Sequence, residues 1–292
     1  MTLVYPREFK THPLGIHVSI SGKLDMCVDR AIEAGCVGAF QIFTCSPRRW
    51  DAPELKAEEV GALAQKLRQN SFQVFAHMPY LPNLSSPDAT FHAKSVAVLK
   101  REASRCREME VRNLVLHFGS HMKTSIRDAH KRIVKAIQEC LSDTPGSSVR
   151  LLLENSAGND SPGARFEFIK AVLDEIGDKK RVGVCFDTCH AFAAGYDLRT
   201  LETTEKMVED FDAKVGLENL FLIHLNDSKG GLGEGPDRHE NIGSGKIGFP
   251  GMAAVLNLKA LRHIPVVLET PVENEGDDKK SIAAVKKLIA EK

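Results

Sequence analysis

Nine side chains of metal-binding type are spread along this 292-residue sequence in a pattern that packing alone does not explain. His77, His117, Glu154, Asp187, His224 and Glu269 each stand directly after a short apolar, β-branched run. One His or Glu in such a place is ordinarily a hydrogen-bonded polar group and no more. Six in the same structural phase call for a shared cause. His190 follows Asp187 by three residues, so a helical turn puts both on one face while letting them reach different metals. Asp237 and His239 are two apart, and an extended backbone would point both the same way. Imidazole nitrogen and carboxylate oxygen are donors that Zn²⁺ accepts. Nine are too many for one tetrahedral ion, so the set suits a cluster of ions that share carboxylates. Cys185 and Cys189 flank the Asp187 segment. Cys185 falls inside an apolar run and reads as core packing, and Cys189 has no partner cysteine, so both are left out of the ligand set.

Side chains so far apart in sequence need a scaffold that returns them to one rim. Eight short apolar runs, at 14–18, 39–43, 73–76, 113–116, 150–153, 182–186, 220–223 and 265–268, read as strands. Helix-like stretches lie between them, for example 53–69, 93–109, 126–141, 164–175, 201–215 and 281–291. Alternation of this kind predicts a parallel sheet, and eight repeats predict an α/β fold of the (β/α)₈ TIM-barrel type, formed as a single domain over 12–292. Residues 1–11 read as an irregular leader. The stretch 230–248, with seven glycines, reads as a long loop after the seventh strand. In such barrels the reactive groups stand where strands finish and the following loops begin, which is where the six strand-end residues fall.

Composition sets limits on partners. The 39 basic and 39 acidic residues cancel, which argues against non-specific coating of nucleic acid while leaving room for a local basic patch. The seven cysteines are odd in number and scattered, as in reduced intracellular proteins. The N-terminal residues lack the apolar run of a signal peptide, and no segment is apolar enough to span a bilayer. A soluble, cytoplasmic monomer is the expectation.

Several segments resemble the endonuclease IV family of zinc-dependent AP endonucleases. They are Gly15-Ile16-His17-Val18-Ser19, Leu116-His117-Phe118-Gly119-Ser120-His121, Leu153-Glu154-Asn155-Ser156-Ala157-Gly158 and the long stretch 182–197 around Asp187 and His190. His224-Leu225-Asn226-Asp227-Ser228-Lys229, Asp237-Arg238-His239-Glu240-Asn241-Ile242-Gly243 and Leu268-Glu269-Thr270 complete the set. The resemblance runs from about Gly15 to the final helix. It implies three zinc ions per chain: one on His77, His117 and Glu154, a second on Glu154, Asp187, His224 and Glu269, a third on His190, Asp237 and His239. It implies a partner, double-stranded DNA containing abasic sites, with Arg48, Tyr80 and Leu81 as DNA-contacting positions; an Arg and an aromatic wedge suit a vacated base stack. Trp50 reads instead as a packing anchor. The implied reaction is hydrolysis 5′ to the abasic sugar in base excision repair, with 3′-end trimming as a further activity and Glu154 as the catalytic carboxylate. His17 and His121 sit near the rim as candidate supporting groups. Phe118 stands where proline is expected, and Asn159-Asp160 where Gln-Gly is common; both bear on loop shape. The alternatives are a divalent-metal sugar isomerase or epimerase on the same barrel, which needs only one or two metals, and a catalytically silent DNA-damage binder.

Overall fold

The computed structural model describes residues 12–158 and 161–289, so the 1–11 leader and Asn159-Asp160 lie outside the described residues. Seven strands run along the chain to position 224: β1 (Leu14–Ile16), β2 (Ala39–Phe43), β3 (Gln73–His77), β4 (Asn113–His117), β5 (Arg150–Glu154), β6 (Val182–Asp187) and β7 (Leu220–His224). A short hairpin-like pair, β8 (Asp227–Ser228) and β9 (His239–Glu240), precedes β10 (Val266–Leu268). The helices are α1 (Met26–Ala34), α2 (Ala57–Asn70), α3 (Ala89–Glu108), α4 (Ile126–Asp143), α5 (Phe166–Ile176), α6 (Thr188–Ala193), α7 (Leu201–Lys214), α8 (Gly248–Asn257) and α9 (Asp277–Leu288).

The main sheet has the order β1-β10-β7-β6-β5-β4-β3-β2 and is parallel at every pairing. A bridge between His17 and Gln41, with Val18 N–H donating to Gln41 O at 2.8 Å, closes β1 onto β2. The result is the TIM barrel expected from the alternation. Five strands reach one residue further than the apolar runs indicate and take His77, His117, Glu154, Asp187 and His224 into the strands themselves. The last helix begins at Asp277, earlier than expected.

Strand pleating sorts the side chains into two cores. Phe40, Ile42, Leu114, Leu116, Leu151 and Leu153 face outward and pack with the helices in the larger cluster. Their neighbours Ala39, Phe75, Val115, Leu152, Cys185, Leu222 and Val267 form a second cluster that fills the barrel interior. Because successive residues of a strand alternate faces, residues two further on share the inward phase. Those residues are Gln41, His77, His117, Glu154, Asp187, His224 and Glu269. The apolar plug therefore forms the floor on which the polar ring stands, and Cys185 belongs to that floor, as its place in the sequence indicated.

Gly15 in β1 shows how tightly the barrel is drawn together: a Cβ there would lie 2.0 Å from the carbonyl oxygen of Ala39. Gly15→Ala is expected to lower the unfolding free energy by about 1–3 kcal/mol, the range for overpacking a tight interior. Denaturant unfolding measures this directly, and an unchanged midpoint would contradict the close approach. Among the described residues no helix is long and apolar enough to cross a membrane.

Candidate metal centre

Four carboxylates and five imidazoles meet at the C-terminal mouth of the barrel. Glu154, at the end of β5, is fully buried and lies at the centre of the ring. Its Oε2 is 3.2 Å from His77 Nε2 and 3.5 Å from His117 Nε2. Its Oε1 is 3.0 Å from His224 Nδ1, which in turn is 3.3 Å from Glu269 Oε2. Asp187 Oδ2 lies 4.0 Å from the same His224 nitrogen and 3.7 Å from His239 Nε2. Asp237 holds the far side, 3.1 Å from His190 Nε2 and 3.2 Å from His239 Nε2. The nine residues named from the sequence are thus brought to one rim. His77, His117 and Glu154 form a group able to hold a metal ion, as do Glu154, Asp187, His224 and Glu269. Asp187 also groups with His190 and His239, so it joins the second set to the third.

In four of the five rings the second nitrogen explains the orientation of the first. His77 Nδ1 is 2.7 Å from Met78 O, His190 Nδ1 is 2.9 Å from Asn155 O, and His239 Nδ1 is 3.1 Å from Glu269 O. His224 Nε2 is 2.9 Å from Gln41 Oε1. A carbonyl oxygen only accepts, so each of these nitrogens is the N–H donor. The other nitrogen then presents a lone pair to a carboxylate, an arrangement that is repulsive unless a proton or a metal ion lies between. Two ligands on one tetrahedral zinc stand about 3.4 Å apart, given metal–ligand lengths near 2.1 Å. The spacings above bracket that value. His239 Nε2 makes the same point: among the described residues it is buried without an aligned hydrogen-bond partner, although two carboxylates are near. The donor set fits metal ions.

Charge and burial oppose each other here. Burial raises the Glu154 carboxyl, but His117 and His224 outweigh it and hold the group well below the usual range. Burial pulls His117 down to about 4, leaving a neutral ring with no proton for a metal to displace. Burial acts the same way on His239, yet the neighbouring carboxylates of Asp237 and Asp187 raise it to about 9. Burial lifts Asp187 despite His190 and His239 beside it. Cys185 lies within ligand reach of Glu154 and His224, and Cys189 within reach of Asp237 and His239. Burial pushes both thiols up to about 12, so they stay protonated and are poor ligands.

The third set is assembled differently from the first two. Asp187 caps α6, its Oδ1 accepting the His190 N–H at 2.8 Å, which fixes the three-residue spacing seen in the sequence. Asn226 donates to Asp187 Oδ2 at 2.6 Å and accepts from Glu269 N at 2.8 Å. Asn155 brackets Asp187 from the other side, accepting from its N–H at 2.7 Å and donating to its carbonyl at 3.0 Å. Sequence reading missed these two asparagines and Gln41. Gln41 is fully buried; it accepts from His224 and donates to Glu269 Oε1 at 2.7 Å and to His17 Nδ1 at 3.1 Å. The signal was present: Gln41 occupies on β2 the inward phase that the ligand residues occupy on their strands.

Of the residues expected to meet DNA, Tyr80 stands beside the ring, and Leu81 and Arg48 lie on the loops after β3 and β2. Tyr80 and Leu81 are exposed, and the Tyr80 ring lies 5.4 Å from Phe43, 5.5 Å from His77 and 6.2 Å from His117. Arg48 is exposed on the loop after β2. That loop is clamped to α3: Arg105 donates to Thr44 O at 2.7 Å and to Pro53 O at 2.6 Å, and Arg101 donates to Trp50 O. Trp50 packs edge-on against Phe91 under Lys94, the anchoring role its position implied. His121 donates through Nδ1 to Thr124 O at 2.8 Å, while His17 Nε2 is buried with no hydrogen-bond partner among the described residues. Phe118 is buried beneath Gly163 and against Phe168, so it shapes the loop after β5.

Known proteins resemble the chain along nearly its whole described length. The family model described as xylose isomerase-like TIM barrel matches residues 28–290. A protein of Methanoculleus marisnigri named probable endonuclease 4 is 44% identical over 277 residues, covering 94% of this chain and 98% of its own. The chain belongs to the endonuclease IV family. A Cenarchaeum symbiosum protein of the same name is 44% identical over 279 residues, covering 94% and 99%. The crystal structure of endonuclease IV from Thermus thermophilus superposes with a TM-score of 0.83 at 32% identity, covering 94% of this chain and 98% of that one. A D-tagatose 3-epimerase-like protein, at 18% identity and a TM-score of 0.71, shares the fold.

Gln41 holds two members of the ring at once, accepting from His224 and donating to Glu269, and it reaches His17 beside them. Gln41→Leu keeps the bulk but leaves His224 Nε2–H without its acceptor. It is expected to weaken metal binding about 10–100-fold, as loss of a ligand-orienting partner commonly does. Competition against a chelator measures it, and an unchanged affinity would contradict the role assigned to Gln41.

Proposed function

We propose that this chain is a zinc-dependent DNA-repair endonuclease that hydrolyses the phosphodiester bond 5′ to abasic sites in duplex DNA, leaving a 3′-hydroxyl and a 5′-deoxyribose phosphate. The observation that carries the reading is the continuous ring of donor groups: Glu154 and Asp187 each stand between two sets, so the sets abut. A small-molecule isomerase needs one or two ions in a closed pocket. A third donor set, with exposed Tyr80, Leu81 and Arg48 on the loops after β3 and β2, suits a phosphate backbone instead.

The same reading assigns His77, His117 and Glu154 to one ion, Glu154, Asp187, His224 and Glu269 to a second, and His190, Asp237 and His239 to a third. Zinc, when bound, supplies Lewis acidity to the phosphate oxygens and brings the pKa of a water towards neutrality. The protein's own work is positional. Glu154 orients the attacking water, its Oε2 set beside His77 and His117 and its Oε1 beside His224. Water adds to phosphorus, the bond to the 3′ oxygen of the preceding nucleotide breaks, and that oxygen leaves as the new 3′-hydroxyl. Tyr80 and Leu81 wedge the duplex while Arg48 meets its phosphates or groove, so the baseless sugar swings out of the stack. One chain acts on one duplex, and trimming of blocked 3′ ends uses the same mouth.

An abasic duplex incubated with the protein is expected to be nicked on the 5′ side, to lose that activity after prolonged chelation, and to recover it with zinc. Glu154→Gln should lower incision by about 10²-fold or more, in the range of a lost acid–base or positioning group. Full incision by Glu154→Gln with no loss of metal would end its assigned role. Aldose turnover without nicking would support the isomerase instead, and duplex retention without nicking a binder.

A further inference from the structure

Asp227 has a fully buried carboxylate and, among the described residues, no ion pair. It is instead surrounded by backbone amides. Oδ1 accepts from Ser228 N at 2.8 Å and Ile247 N at 3.0 Å; Oδ2 accepts from Gly243 N and Gly245 N, each at 3.0 Å. Gly248 N lies 3.2 Å from Oδ2 and 3.3 Å from Oδ1. Successive amides that converge in this way form a nest of the kind that captures anions, and N–H bonds to a carboxylate are about twice as strong as neutral ones. Here the anion is part of the chain. Gly245 is shaped for it: a Cβ would lie 2.5 Å from Asp227 Oδ1 and 2.5 Å from Ser228 O.

What the nest holds is the segment that carries the third donor set. Asp237 and His239 come from a loop, whereas the first two sets stand on barrel strands. β9 contains only His239 and Glu240, paired to Ser228 and Asp227 respectively. A ladder that short is weak by itself. On one side Lys229 N–H donates to Arg238 O at 2.9 Å, continuing the ladder. On the other side the chain turns through 243–248, which the Asp227 carboxylate gathers, and Lys246 N–H returns to Ser228 O at 2.7 Å. Two of the gathered amides, Ile247 and Gly248, belong to the N-terminus of α8, an outer helix of the barrel. Asp227 therefore ties the return limb of the ligand loop to rigid scaffold, with β9 held between.

We propose that Asp227 is a positioning residue that forms the third metal site in advance, by templating the 229–248 loop before any ion arrives. The inference rests on the reading that His190, Asp237 and His239 hold an ion of their own. It predicts a selective effect. Asp227→Asn should leave the ions of the first two sets in place and weaken the third by about 10–100-fold, the usual effect of removing a ligand's supporting partner. Zinc release followed against increasing chelator, with metal counted per chain, reads this as two retained ions and one lost early. Gly245→Ala, which drives a methyl into the same carboxylate, should do likewise and decides the matter if Asp227→Asn does not fold. Retention of all three ions by the variants, or loss of all three together in a chain with native circular dichroism, overturns the proposal.

A measurement on the unaltered sequence separates this inference from the reading beneath it. Hydrogen exchange of the metal-stripped protein should find the amides of Gly243, Gly245 and Ile247 still protected, since their acceptor is Asp227 and not an ion. Protection that arises only when zinc is added would overturn the proposal, however many ions the protein holds. A zinc count below three in the unaltered protein would instead count against the metal assignment, leaving the exchange result to decide the role of Asp227.

Discussion

Four carboxylates converge at the barrel mouth, three of them deeply buried or nearly so, and their mutual repulsion is the constraint to which the surrounding architecture answers. Glu154 and Asp187 are fully buried. Several ionised carboxylates at such spacings persist in a water-poor site only if positive charge is supplied between them. The protein does not supply it with Lys or Arg: every ion pair of Glu154, Asp187, Glu269 and Asp237 among the described residues is with a histidine. An imidazole with its remote nitrogen tied to a carbonyl oxygen offers the other nitrogen to a metal ion or, without one, to a proton, as the raised His239 does. Ligand tautomers, the buried amides of Gln41 and Asn226, and the use of histidine in place of permanent cations are one solution to a single electrostatic problem.

The barrel makes that convergence possible through the alternation of its strands. The inner plug, Phe75 through Val267, excludes water from below and fixes the inward phase. One residue outward the chain packs on helices; two residues onward it reaches the mouth. The same period that builds the core therefore aims the ligands, and a slip of one residue on any strand would turn a ligand into the outer core. The third donor set escapes this logic. It depends on α6 capped by Asp187 and on a loop whose conformation is set by backbone amides gathered around Asp227.

This division explains what could be read from the residues in advance. The strand-end donors that meet at the rim were legible because period and residue type agree: apolar runs that end in His, Asp or Glu. His190 and His239 were legible through spacing and resemblance. Gln41 was marked only by its inward phase on β2, and Asn155 and Asn226 were not legible, because a neutral amide after an apolar run carries no chemical signal until its neighbours are known. α8 has no counterpart among the helix-like stretches read from the sequence, where Gly248, Pro250 and Gly251 all punctuate its start. Yet Pro250 falls in the first helical turn, where its missing N–H costs no hydrogen bond. At Gly251 a Cβ would meet Leu198 O at 2.1 Å, so the glycine serves close packing.

The proposed function requires three ions on one continuous ring of donors, with Glu154 shared between two of them. Anomalous diffraction at the zinc edge from crystals of the purified protein tests it most directly. Three peaks are expected at the barrel mouth, one beside His77 and His117, one between Glu154, His224 and Glu269, and one between His190, Asp237 and His239. A single peak, or peaks that leave Glu154 outside coordination distance, would contradict it.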